Sequence, residues 1–344
     1  MVRIVHYIVF DLEWNQSPKG KEGTVDHLPF EIIEIGAVKL DEGLEQVGEF
    51  RQLICPRVYT QMHYKISEVT HLKMETLKRE GVGFGQAMER FLGWCGEDYR
   101  FVTWGSMDLV ELQRNMVYHG LGIPFGLPLL YYDLQKLYSL RCGDGKQRIS
   151  LDLAVEEQGI SVEEKRPFHH ALDDAYYTGQ VMSRMGFEQV KAFLSVDYYQ
   201  LPKTEGEEIY LSFPGYTKYV SRQFWSKEGV MADKRVNDVY CPCCRRALRK
   251  KIRWFAVNPK LYECLAICPE HGLVRGKIRI KKAEDGGVFA VRITKAVDEA
   301  GAQLVAEKRA ALKQRKAEKC DTAGNDTRKA HARGKGVRKS QNER

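Results

Sequence analysis

Apolar positions over roughly the first 190 residues fall into short runs of two different periods. Residues 4 to 10, Ile-Val-His-Tyr-Ile-Val-Phe, form an apolar, β-branched and aromatic run that is too short to cross a membrane and suits a central strand. Asp11 stands at its carboxyl end. Side chains alternate along a strand, so Asp11 and Glu13 face one side while Leu12 points the other way, into the core. Further on, the pattern predicts a third strand over Glu49–Cys55, a helix over Ser67–Glu80 with a Ser cap, and another over Gly85–Cys95. A buried strand over Arg100–Trp104, a helix over Asp108–His119 and a fifth strand over Leu129–Leu134 follow. A helix over Ser150–Gln158 is stopped by Gly159. After His170 the period becomes helical, with Leu172, Ala175 and Met182 on or near one face. Alternating strands and helices predict an α/β layer structure with ample length for a full core, and no internal repeat is visible.

Polar residues interrupt this pattern in three places: Asp11 and Glu13 in Y-I-V-F-D-L-E-W, Asp108 in V-T-W-G-S-M-D-L, and His169 with Asp174 in H-H-A-L-D-D-A. Taken alone, D-x-E after a strand is equally readable as a solvated turn. Spacing singles out the histidine. His169 and Asp174 are five apart, whereas His170 has no acid five residues on and Asp173 has Phe168 five residues back. One loop and the helix after it therefore deliver a base and a metal ligand together. A neutral imidazole takes a proton from an activated water near pH 7, and hard divalent cations prefer oxygen ligands. Two such cations held by carboxylates about 4 Å apart activate a water and neutralise a leaving oxygen, which is what phosphodiester hydrolysis needs.

The order D-x-E, a distant D, then H-x-A-x-x-D resembles the DEDDh group of DnaQ-like 3′-to-5′ exonucleases over roughly residues 4 to 190. Glu31 to Leu40, E-I-I-E-I-G-A-V-K-L, resembles the second strand of that fold. The W-G-x-x-D arrangement ending in Asp108 is most similar to the RNA-trimming and KapD-like branch. The resemblance implies a ribonuclease H-like mixed sheet flanked by helices, with its first three strands antiparallel and others parallel. It further implies that Asp11, Glu13 and Asp174 hold two Mg²⁺ or Mn²⁺ ions, that Asp108 supports them directly or through water, and that His169 is the general base. Many members carry two threonines after the first glutamate, where this chain has Trp14-Asn15. Trp14 is therefore either a stacking platform for a terminal base, a contact of about 1–3 kcal/mol, or a packed core residue.

Charge divides the 344 residues. The net is −9 over residues 1–233, +11 over 234–282, −3 over 283–307 and +9 over 308–344. The overall +8 thus resides in the C-terminal third, while the region bearing the carboxylates is acidic. Lys/Arg clusters attract polyanions in a salt-dependent way, which suits a nucleic-acid enzyme. Residues 297–319 are rich in helix formers, and from Gly324 the composition is that of a disordered segment.

Five of the nine cysteines crowd together as Cys241, Cys243, Cys244, Cys264 and Cys268, with His271 close behind. Cys241-Pro-Cys-Cys244 and Cys268-Pro-Glu-His271 are tight turns of the kind that close a tetrahedral zinc site, giving Cys241, Cys244, Cys268 and His271 as ligands, with Cys264 the alternative to His271. Lys251–Val257 and Leu273–Ile280 supply the strands of a ribbon. No apolar signal peptide opens the sequence, so zinc in a cytoplasmic protein is expected rather than disulfides. Arg249, Lys250, Lys251 and Arg253 beside Trp254 and Phe255 suit nucleic-acid contacts, although these two aromatics equally suit a ribbon core.

The expected layout is an exonuclease domain over 1–200, a linker or domain extension over 201–233, a basic zinc-ribbon-like domain over 234–294 and a basic tail over 295–344. The expected activity is metal-dependent 3′-to-5′ removal of nucleotides from single strands, RNA before DNA, with no membrane partner. DNA end trimming and a non-catalytic nucleic-acid-binding adaptor are the alternatives.

Overall fold

The computed structural model describes residues 6–315, and the chain divides into two compact units, Met1–Gln200 and Leu201–Arg344. The predicted disordered tail from Gly324 lies outside the described residues.

In the first unit a six-stranded sheet contains β1 (His6–Asn15), β2 (Glu31–Leu40), β3 (Gln46–Leu53), β4 (Tyr99–Thr103), β5 (Leu130–Asp133) and β6 (Ser195–Val196), in the order β3-β2-β1-β4-β5-β6. The β1–β2, β2–β3 and β5–β6 pairs are antiparallel, and the β1–β4 and β4–β5 pairs parallel. This is the ribonuclease H-like mixed sheet that the resemblance implies. Among the described residues seven helices accompany it: α1 (Tyr64–Thr70), α2 (Met74–Glu80), α3 (Phe84–Cys95), α4 (Met107–Tyr118), α5 (Leu134–Cys142), α6 (Leu151–Glu157) and α7 (Ala171–Arg184).

Alternation along β1 sorts the core into two layers. Ile8, Phe10 and Leu12 pack with Phe91 of α3 and with Leu109 and Leu112 of α4. Tyr7 and Val9 lie on the other face with Val38, Leu40 and the α7 residues Val181 and Met182. Ile8, Val9 and Phe10 are fully buried, and each such side chain stabilises the fold by about 1.5–3 kcal/mol. Odd-numbered residues at the end of β1, Asp11 and Glu13, thus continue the α7-facing row.

Helix α7 reaches β2 through a glycine. A Cβ on Gly36 would lie 1.9 Å from the backbone nitrogen of Leu172, so only glycine lets the helix start sit on the strand. A bulge between Glu13 and Trp14 breaks the β1–β2 register just past the two acids.

Several sequence expectations shift. The single helix expected over Ser67–Glu80 is two, broken where His71 takes a left-handed φ of 54°. Its Ser cap is absent: Ser67 lies inside α1, its hydroxyl donating to the Leu72 carbonyl. The fifth strand stops at Asp133, whose side chain caps α5, a helix with no expectation behind it.

The second unit holds β7 (Ile209–Phe213), β8 (Tyr216–Val220), β9 (Arg249–Asn258), β10 (Leu261–Cys268), β11 (Gly272–Lys282) and β12 (Val288–Ala296). They form an antiparallel sheet in the order β7-β8-β12-β11-β10-β9. Where two ribbon strands were expected there are six, and residues 201–233 supply β7, β8 and the short helix α8 (Lys227–Ala232), which precedes α9 (Lys234–Asn237). One face packs Tyr219, Ile278 and Ala290 against Val230 of α8 and Val236 of α9. On the other, Leu265 packs against Ala302 and Val305 of a helix over residues 299–315. Lys308 and Arg275 both pair with the buried Glu263 at 2.9 and 2.8 Å, pinning that helix to β10 and β11.

Candidate active site and metal centres

Three carboxylates meet where two elements converge. Asp11 and Glu13 come from the end of β1 and Asp174 from the first turn of α7, with one oxygen of each within 4.8 Å of the others. Asp108, buried in the first turn of α4, lies outside this tight group but close enough to repel Asp11 and Asp174. Since β4 runs parallel beside β1, the loop after β4 delivers Asp108 to the same end of the sheet.

Burial and mutual repulsion leave the cluster reluctant to ionise. Desolvation first, then Asp174, Glu34 and Asp108, pushes Glu13 up to about 9. Burial, then Asp108, Asp174, Glu13 and Glu34, raises Asp11 well above the carboxylate range. Burial also carries Asp108 to about 7 against hydrogen bonds from its own and the Leu12 amide. Asp174 likewise reaches about 7, mainly through burial and against the His169 N–H, which donates to both of its oxygens at 3.3 Å. Uncompensated acidity in an all-oxygen donor set fits a divalent hard cation. At ligand distances near 2.1 Å, opposite octahedral oxygens stand about 4.2 Å apart, which the 4.8 Å limit on this group accommodates.

His169 is exposed, at a left-handed φ of 70° directly before the residue that caps α7. Asp152 on α6 lies near enough for the two to interact electrostatically. Trp14 is half-buried and packs on the α3–α4 layer with its ring 5.5 Å from Phe30.

Sequence reasoning missed Glu34. Fully buried on β2 directly across from Glu13, it accepts from Arg51 Nε at 2.5 Å and from the Ala171 amide at 3.4 Å. It thereby ties the start of α7 to the sheet beside the acids. A charged residue in the otherwise apolar run E-I-I-E-I-G was the available signal. Asn15 was passed over too: its amide donates to the Tyr59 and Gln61 carbonyls and accepts from the His63 amide, fastening the 59–63 loop to β1.

The second unit gathers Cys241, Cys244, Cys268 and His271. Cys244 and Cys268 sulfurs stand 3.7 Å apart, and Cys268 Sγ lies 3.6 Å from His271 Nδ1. A tetrahedron with metal–sulfur bonds of about 2.3 Å and a metal–nitrogen bond of about 2.0–2.1 Å has edges of about 3.75 and 3.55 Å, which these two distances match. Burial works against a Cys268 thiolate, but hydrogen bonding from His271, from the Glu270 and His271 amides and from Cys241 brings it down to about 6. Cys264 stands outside the group, buried against Gly276, where desolvation pushes its thiol up to about 12. Cys243 is exposed and also outside. Arg249, Lys251 and Arg253 are exposed along β9, and Lys250 is half-buried. Trp254 is half-buried between the two small cores of this unit, donating its Nε1–H to the Asn237 carbonyl at 2.8 Å.

Residues 8–182 match the family model of the RNase T-type exonucleases, described as "Exonuclease". The chain belongs to that exonuclease family. Over 207 residues it is 28% identical to the probable 3′-5′ exonuclease KapD of Bacillus subtilis (strain 168), covering 60% of this chain and 94% of that one. Over 184 residues it is 30% identical to the PolC-type DNA polymerase III of Thermotoga petrophila, covering 52% of this chain but 12% of the polymerase. Among solved structures, the nuclease domain of 3′hExo, a DEDDh family member bound to rAMP, is similar at 22% identity and a TM-score of 0.46, over 57% of this chain and 98% of that one. The residues matched by the family model lie within the first unit of this exonuclease-family chain. Among the described residues no helix is long and apolar enough to cross a membrane.

Proposed function

We infer that the chain is a metal-dependent 3′-to-5′ exonuclease. The observation that carries this is the convergence of Asp11, Glu13 and Asp174 within 4.8 Å inside a family-matched fold. When bound, two divalent cations supply an activated attacking water and charge neutralisation at the departing 3′ oxygen. In our reading Asp11, Glu13 and Asp174 hold these ions, Mg²⁺ or Mn²⁺, and Asp108 completes the acidic wall. His169, exposed at the mouth of the cluster, accepts the proton of the attacking water on its imidazole. Glu34 is a positioning residue that keeps α7, and with it Asp174, against β1. Cys241, Cys244, Cys268 and His271 hold a structural zinc.

We further propose that single-stranded RNA is preferred over DNA and that the protein works in the cytoplasm. The W-G-x-x-D segment, which resembles that of RNA-trimming enzymes, supports the RNA reading; the polymerase similarity supports DNA trimming as the second. Matched RNA and DNA strands, labelled at the 5′ or the 3′ end and incubated with Mg²⁺ or Mn²⁺, test all of this. The expected result is loss of the 3′ label as mononucleotide, with RNA consumed faster. Equal or faster DNA digestion removes the RNA preference, and binding without shortening under either metal removes the catalytic reading.

A further inference from the structure

Within the second unit, a cavity of about 360 Å³ opens on the sheet face that carries α8 and α9, at the β7–β8 edge beside the first zinc turn. Its walls include Tyr210, Ser212, Tyr219, Tyr240, Arg245 and Arg292. Strand alternation and register explain the gathering: Tyr210 pairs with Tyr219, Ser212 with Thr217, and Tyr219 with Arg292, all on one face. Among the described residues no carboxylate lines it.

Two arginines play different parts. Arg292 is buried with its guanidinium 4.5 Å from the Tyr219 ring and 5.9 Å from that of Tyr240, while its Nη1 donates to the Arg235 and Val236 carbonyls. It is a fixed positive floor. Arg245 is exposed and at a left-handed φ of 58° in the zinc turn, its amide donating to the Cys241 carbonyl at 3.0 Å; among the described residues its side chain makes one long hydrogen bond, 3.4 Å to Ser212 Oγ. Among the described residues no carboxylate pairs with it, so most of its five donors face solvent. Tyr210 is 53% exposed, with its ring 4.7 Å from Tyr219 and tilted by 39°. Of the nearby acids, Glu208 is buried and ion-paired with Arg222 and Arg235, and Asp238 accepts from the Tyr240 hydroxyl at 3.4 Å and interacts electrostatically with Arg292.

We propose that this cavity is a nucleotide subsite: one base of a single strand stacks on Tyr210, and its phosphate is held by Arg245. An exposed aromatic face beside an unneutralised guanidinium is the combination that single-strand binders use without reading sequence. The subsite rests on the nucleic-acid reading above but not on catalysis. It lies at the opposite edge of the sheet from β9, whose Arg249, Lys251 and Arg253 line no part of the cavity. Because Cys241 and Arg245 belong to the zinc turn, metal loss also disorders the subsite.

The test is the affinity of the full chain for a labelled single-stranded RNA, measured over a salt series with no Mg²⁺ added. Tyr210→Ala weakens binding by about five-fold or more, and Tyr210→Trp retains it. Arg245→Gln flattens the slope of log affinity against log salt by about 0.7. Both keep wild-type kcat on a dinucleotide, since neither side chain belongs to the carboxylate site. Wild-type affinity in Tyr210→Ala together with an unchanged salt slope in Arg245→Gln overturns the subsite. A wild-type chain that binds RNA through these residues yet cuts nothing removes the exonuclease reading and leaves the subsite standing.

Discussion

Asp11, Glu13 and Asp174 are half-buried and Asp108 buried, and their proton affinity is where this first becomes measurable. Carboxyls raised in the folded state bind more protons there than in the unfolded chain. Their contribution is fully present below about pH 4 and is lost as pH climbs through about 7 for Asp174 and about 9 for Glu13. The metal-free protein is therefore expected to lose stability from about pH 5 to 9. Mg²⁺, which displaces those protons, restores it, so the gain in Tm on adding Mg²⁺ grows with pH in differential scanning calorimetry. An equal gain at about pH 5.5 and 8.5 counts against the ligand assignment. For His169→Ala, single-turnover assays are expected to show a rate lowered about 10²- to 10⁴-fold with substrate affinity kept. Asp11→Asn is expected to lose metal affinity and cleavage together, read by isothermal titration with Mn²⁺ and by the same assay.

Helix α7 depends on what β2 lacks. Gly36→Ala forces a methyl group against the Ala171–Leu172 backbone at the helix start, where no side chain can swing aside. Unfolding by urea is expected to register a loss of about 3 kcal/mol, and activity falls further because Asp174 and His169 ride on the displaced turn. A variant as stable and active as wild type would mean that the helix start is free to shift. Long alternating and helical periods made β1, α3, α4 and α7 legible in the sequence, and spacing singled out His169 and Asp174 as two of the five candidate site residues. What stayed hidden was set by tertiary context. Glu34 reads as one polar residue in an apolar strand until its partners Arg51 and Ala171 arrive from elsewhere. The break at His71 depends on a left-handed residue that composition does not mark. Strands β7, β8 and β12 carry apolar and aromatic runs of their own, and what the sequence left open was the antiparallel pairing that places them in one sheet.

At the scale of the whole chain, a family-matched unit is joined to one that gathers three cysteines and a histidine. Elemental analysis of the purified chain is expected to find one zinc, falling to near zero in Cys244→Ser, with a lower Tm because structural zinc contributes folding energy directly. Zinc retained at one per chain in that variant would dissolve the four-ligand site. Strand β1 has a consequence for how such a protein decays. Its two rows of side chains serve opposite needs, one anchoring the helices α3 and α4, the other presenting acids. Inserting or deleting a single residue there exchanges the rows, driving ionisable groups into oil and leucine into the reaction centre. A folded relative silenced through this strand is therefore expected to differ there by substitution rather than by a gained or lost residue.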